Sequence, residues 1–110
     1  MKVAILLPGK GITIYDIGNA TSDVILPESR GLIGRLEFSG DGSRLIAHFI
    51  GTKYAGGKVW DVRSGDEVFR HPGPIVAIAI SPNGREVGIV ESTTVLRIPL
   101  GKNNVTVKPF

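Results

Sequence analysis

Short apolar runs, broken at close intervals by Gly, Pro, Asn, Asp and Ser, organise this chain from end to end. Such runs bounded by turn residues read as β-strands. Val, Ile and Thr are prominent in them, as strands favour, and helical periodicity is nearly absent. The pattern predicts strands at 2–7, 11–17 and 22–26, then at 32–39, 44–50, 57–62 and 67–70. A last group falls at 75–81, 86–91, 93–98 and 104–108. Gly40-Asp41-Gly42, Ser64-Gly65 and Pro82-Asn83-Gly84 supply the positive φ that tight hairpin turns demand. Segments so close together leave no room for crossover helices, so the sheets are expected to be antiparallel. Residues 75–80, IVAIAI, are apolar on both faces, which predicts cover on both sides.

The spacing of these runs repeats. Leu36-Glu37-Phe38-Ser39-Gly40-Asp41-Gly42 returns as Ile78-Ala79-Ile80-Ser81-Pro82-Asn83-Gly84, an offset of 42 residues. Ile14-Tyr15-Asp16-Ile17 returns as Val59-Trp60-Asp61-Val62, an offset of 45, and again, degraded, as Val95-Leu96-Arg97-Ile98. A period of about 40–45 residues holding four short strands marks a propeller blade, and such repeats bury their faces only against neighbours. At 110 residues the chain holds fewer than three full repeats. The expected units are 1–31, 32–74 and 75–110. A ring of such repeats would have to be completed by oligomerisation.

Composition narrows the chemistry more than it identifies it. The absence of cysteine excludes disulfides, thiolate nucleophiles and thiolate metal ligands. A net charge of +3 comes from scattered basic residues and leaves no nucleic-acid footprint. The start, Met1 to Pro8, begins like an export signal, but its apolar run stops at Pro8 without a small-residue cleavage site. It reads as a strand, no stretch is long enough to span a membrane, and a cytoplasmic location is the expectation.

No catalytic constellation emerges. Neither Gly-x-Ser-x-Gly nor His-Glu-x-x-His occurs, and Gly9-Lys10-Gly11 lacks the rest of a phosphate loop. Asp41, Asp61 and Asp66 fall in turns or at strand ends. His48 reads as a packing histidine, and two histidines without a spaced carboxylate make no zinc site. The expectation is therefore no enzyme, no cofactor and no metal. The longest loop, 51–57, sets Lys53 beside Tyr54 among glycines, a composition suited either to binding or to a long hairpin connection.

Trp60-Asp61, Ser64-Gly65, His71 and Ser81-Pro82-Asn83-Gly84, with the weaker copies Tyr15-Asp16 and Ser39-Gly40-Asp41-Gly42, resemble the motifs of WD-repeat β-propellers. The resemblance extends over essentially the whole chain. It implies an all-β fold of about three four-stranded antiparallel blades, the first lacking its innermost strand, with Tyr15, Asp16, Trp60, Asp61, Ser81, Asn83 and Gly84 as structural motif residues. It also implies an interaction or scaffold module that assembles with itself, as a dimer or trimer, through blade faces. A fragment that needs the blades of a different chain is the alternative, and a small-ligand-binding or hydrolytic propeller is a third. A further protein partner would meet the loop-rich face at Arg30, Lys53, Tyr54, His71 and Glu91. His71 is open to two readings, a ligand-facing group or a blade-internal partner. Of the buried network that often ties this family's blades, only His71 and Trp60 are recognisable. Alignment of the inner strands sets Arg35 and Glu37 opposite Ala77 and Ala79. Those charges are expected either to face the incomplete first unit or to pair with each other.

Overall fold

A computed structural model describes residues 1–7, 11–18, 21–26, 32–51 and 55–101. Ten strands form within them, with no helix: β1 (Lys2–Leu7), β2 (Gly11–Asp16), β3 (Thr21–Leu26), β4 (Leu32–Phe38), β5 (Arg44–Ile50), β6 (Gly56–Asp61), β7 (Glu67–Pro72), β8 (Ala77–Ile80), β9 (Glu86–Glu91) and β10 (Thr94–Pro99). The expected strand at 104–108 lies outside the described residues. The strands make three antiparallel sheets, each joined in chain order: β1-β2-β3, β4-β5-β6-β7 and β8-β9-β10.

The sheets stack in series because strand alternation gives the middle one two apolar faces. Leu45, Ala47, Phe49 and Trp60 point upstream, where they share a cluster with Ile12 and Ile14 of the first sheet. Ile46, Val59 and Phe69 point downstream, where they meet Ile78, Val87, Ile89, Leu96 and Ile98 of the third. Burial is complete for Ile46, Val59, Val87, Ile89 and Ile98. Close approach at the second junction depends on Gly57: a Cβ there would stand 2.8 Å from Ile78 Cδ1 and 3.3 Å from Ile75 Cδ1.

The sequence repeat is also a repeat of register. β1 pairs with β2 so that Lys2 faces Asp16, and β5 pairs with β6 so that Arg44 faces Asp61. The register shifts after Ile14 and after Val59, equivalent positions, so even the bulge recurs. In the third sheet Glu86 faces Pro99 and Val87 faces Ile98. Ile98 and Pro99 therefore occupy the places of Trp60 and Asp61. The third copy of the motif is Arg97-Ile98-Pro99-Leu100, two residues beyond the segment 95–98 chosen by sequence similarity. Backbone hydrogen bonds agree: Ile17 N–H to Met1 O (2.8 Å), Val62 N–H to Ser43 O (3.0 Å) and Leu100 N–H to Arg85 O (2.6 Å).

One expectation is corrected, and of the two readings of Arg35 and Glu37 the mutual pair holds. The strand at 75–80 is covered on one face only. Ile78 is buried, whereas Ala77 and Ala79 are exposed, because no described residue lies beyond the third sheet on that side. Arg35 and Glu37 do not face the first sheet. Their cross-strand neighbours are His48 and Ile46, on the downstream side, while the intervening Leu36 packs upstream. The two charges hydrogen-bond to each other, and their side chains are 52% and 43% exposed. The pair thus remains hydrated and forgoes the penalty of buried charge.

Stacking predicts that Ile89→Ala, at the second junction, costs about 2–5 kcal/mol in urea denaturation. Ile17→Ala, in a turn where the side chain is 52% exposed, should cost under about 0.5 kcal/mol.

Candidate functional site

The polar structure that organises this chain lies in its turns. Gly42 N–H and Gly84 N–H each donate to the serine carbonyl three positions back, Ser39 or Ser81, at 2.9 Å. Ser39 Oγ donates to Asp41 Oδ1 at 2.7 Å, and Ser81 Oγ donates to Asn83 Oδ1 at 2.8 Å. Each serine hydroxyl then accepts from the backbone that opens the next strand: Arg44 N–H at 3.0 Å and Glu86 N–H at 3.0 Å. Ser43 N–H and Arg85 N–H complete the pattern by donating to Asp41 Oδ1 (2.9 Å) and Asn83 Oδ1 (3.0 Å). An amide oxygen does at one turn what a carboxylate oxygen does at the other.

The two turns also touch. Asp41 N–H donates to Pro82 O at 2.8 Å. Gly84 holds φ at +72°, and a Cβ there would stand 2.4 Å from Ser43 Oγ. Positive φ and close approach together account for glycine at that position.

The Asp61 turn carries the remaining motif residues. Its Oδ1 accepts from Arg63 N–H (2.9 Å) and Ser64 N–H (3.1 Å), and its Oδ2 from Arg44 Nη1 (2.5 Å). Asp16 Oδ1 accepts from Gly18 N–H at 3.0 Å, the same position in the turn. Burial pulls the Asp61 carboxyl upward. The Ser64 amide, the Arg44 guanidinium and the Arg63 amide outweigh it and hold the group below its ordinary value. The Asp41 carboxyl falls to about 2 from 3.8 because the Ser43 amide, the Ser43 hydroxyl and the Ser39 hydroxyl all favour its charged form.

Of the five residues expected on a partner-binding face, His71 and Glu91 come together, Nε2 to Oε2 at 3.2 Å, across the second junction. Arg30, Lys53 and Tyr54 lie outside the described residues. His71 Nδ1 is buried without a hydrogen-bond partner. His48 Nε2 lies 3.2 Å from Ile75 O, so a second histidine spans the same junction. His71 shares the downstream face with Phe69, whereas Trp60 packs upstream, so the two remnants of the family network are not brought together. Tyr15 is half-buried on the upstream side of the first sheet, at the position equivalent to Trp60.

Sequence reading missed the Arg44–Asp61 and Glu86–Arg97 pairs. Both are cross-strand relations, legible only once register is known. Among the described residues no group of three or more His, Cys, Asp or Glu is placed to hold a metal ion. No helix among them is long and apolar enough to cross a membrane. No protein-family model matches the chain, and no curated protein matches it.

Asp41 has a lower pKa folded than unfolded, so its contribution is complete above about pH 4 and fades as pH falls toward 2. Asp41→Asn should flatten the loss of stability between pH 4 and 2, measured as urea midpoint against pH, and Asn83→Asp should steepen it. Asp61→Ala leaves Arg44, 18% exposed, without its carboxylate and should cost about 1–3 kcal/mol in the same assay.

Proposed function

We propose that this chain is a non-catalytic, WD-repeat-like interaction and scaffold module whose sheets act as propeller blades. In this reading it assembles with itself, as a dimer or trimer, through sheet faces left open at the two ends of the stack. The observation that carries the reading is an asymmetry of cover. The middle sheet is closed on both sides, whereas Ala77 and Ala79 of the third sheet and Ile5 of the first, 40% exposed, are not covered. Repeats of this kind gain most of their stability from interfaces with neighbours, so an open terminal face favours association. The recurring turn network and register support a blade-like unit. His71, Glu91 and the loops near them would then be the surface offered to a further protein.

A second reading has its own support. Among the described residues β1 lies at the edge of the first sheet, whereas its equivalents β5 and β9 each pair with an inner strand, β4 or β8. A chain that borrows blades from a different polypeptide would have such an unfilled place.

Light scattering after size exclusion separates the two. Self-assembly predicts a discrete mass of two or three times 11.7 kDa at micromolar concentration. A monomer with little dye-accessible apolar surface would contradict the proposal, and a heterogeneous, aggregating sample would favour the second reading.

A further inference from the structure

Asn83 and Gly84, in the turn between β8 and β9, are a reactive pair. A backbone nitrogen that follows asparagine attacks the side-chain amide carbon when it is free to do so, and glycine, without a Cβ, leaves that approach unhindered. Of the four asparagines in the chain, Asn83 alone precedes glycine; Asn19, Asn103 and Asn104 precede Ala, Asn and Val.

The fold holds this pair shut. Gly84 N–H donates to Ser81 O at 2.9 Å, and Gly84 is buried, so its proton is retained and kept from solvent. Asn83 Oδ1 accepts from Ser81 Oγ (2.8 Å) and from Arg85 N–H (3.0 Å), which fixes the side chain. Two donors on that oxygen also draw charge from Cγ, which favours attack. The held proton decides the balance, because a peptide nitrogen that keeps it has no free electron pair to attack with.

The products of such an attack fare differently in this fold. The sister turn has aspartate at the equivalent place, and Asp41 accepts the same bonds, from Ser39 Oγ and Ser43 N–H. An aspartate at 83 therefore finds its partners already arranged. Isoaspartate routes the main chain through Cβ and Cγ and lengthens it. The turn has no slack for that: a Cβ on Gly84 would already stand 2.4 Å from Ser43 Oγ, and Pro82 O is tied to Asp41 N–H at 2.8 Å.

We propose that Asn83 is a deamidation site that the folded turn keeps closed and local opening exposes. In the opened turn Gly84 N loses its proton to hydroxide and bonds to Asn83 Cγ. The Cγ–Nδ2 bond breaks, and ammonia leaves with a proton taken from water. Water then adds to either carbonyl of the succinimide ring, and the ring C–N bond opens to give aspartate or isoaspartate. The net charge of +3 falls by one. Aspartate rebuilds the turn; isoaspartate leaves it open.

Peptide mapping by mass spectrometry, with isoaspartate distinguished from aspartate, tests this on the whole chain at one mildly alkaline pH and one temperature. In urea beyond the unfolding midpoint Asn83 should convert to both products. In buffer it should convert at least about tenfold more slowly, since only the minor opened population reacts. Ser81→Ala deletes the hydroxyl that holds both Asn83 Oδ1 and Glu86 N–H. It should speed the reaction in buffer while circular dichroism still reports strands. Asn83→Asp, the product itself, should keep the Gly84 and Arg85 amides as slow to exchange as in the parent. If Ser81→Ala does not fold, the urea comparison and Asn83→Asp carry the test. Equal rates in buffer and urea, or a folded Ser81→Ala chain that reacts no faster than the parent, overturn the gate. Fast exchange at Gly84 and Arg85 in Asn83→Asp overturns the fit of the product.

Discussion

A β-sheet whose two faces are both apolar has to be covered twice, and everything else in this chain follows from how that demand is met. The middle sheet meets it within the chain: Leu45 and Trp60 are hidden by the first sheet, Ile46 and Val59 by the third. The outer sheets each meet it once. Burial at the two junctions comes to most of the apolar core, since the fully buried Ile12, Ile14, Ile78, Val87, Ile89 and Ile98 all belong to one or the other. At roughly 1.5–3 kcal/mol per buried aliphatic side chain, no surface ion pair here competes with that term.

Polar chemistry sets spacing and alignment more than strength. The serine-centred turns hold successive strands at a fixed offset, and Asp41 N–H to Pro82 O ties one turn to the next. At the opposite rim of the same junction, His71 meets Glu91 and His48 meets the Ile75 carbonyl. The apolar contacts between the rims are thereby kept in register. A sheet that slipped by one residue would turn every buried side chain outward. That the Asp41 and Asn83 turns build the same hydrogen bonds with different charge shows that geometry, not charge, is what the repeat retains.

Much of the fold was legible in the sequence, and the exceptions have physical causes. Strand positions at 2–7, 44–50 and 86–91 match the structure because short runs rich in Val and Ile and the turn residues that bound them are local signals. The offset of 42 identified equivalent turns down to individual oxygens. The third copy of the Trp60-Asp61 motif was misplaced by two residues because similarity at Val95-Leu96 followed hydrophobicity. Register follows pairing, which puts Ile98 and Pro99 there instead. The orientation of Arg35 and Glu37 was likewise a question of which face a strand turns to its neighbour. Of the candidate site, the proximity of His71 and Glu91 emerged only from the stacking of two sheets, since 20 residues separate them in the chain. Nothing in their local sequence encodes it.

Native-state hydrogen exchange, residue by residue and at two protein concentrations, tests the stacked arrangement most directly. Backbone groups in a sheet closed on both faces open less readily than those in a sheet closed on one. The account predicts slowest exchange at Leu45–Ala47 and Val59–Trp60, faster exchange in the first and third sheets, and protection of those outer sheets that rises with concentration. Outer sheets protected as strongly as the middle one in dilute solution would contradict it.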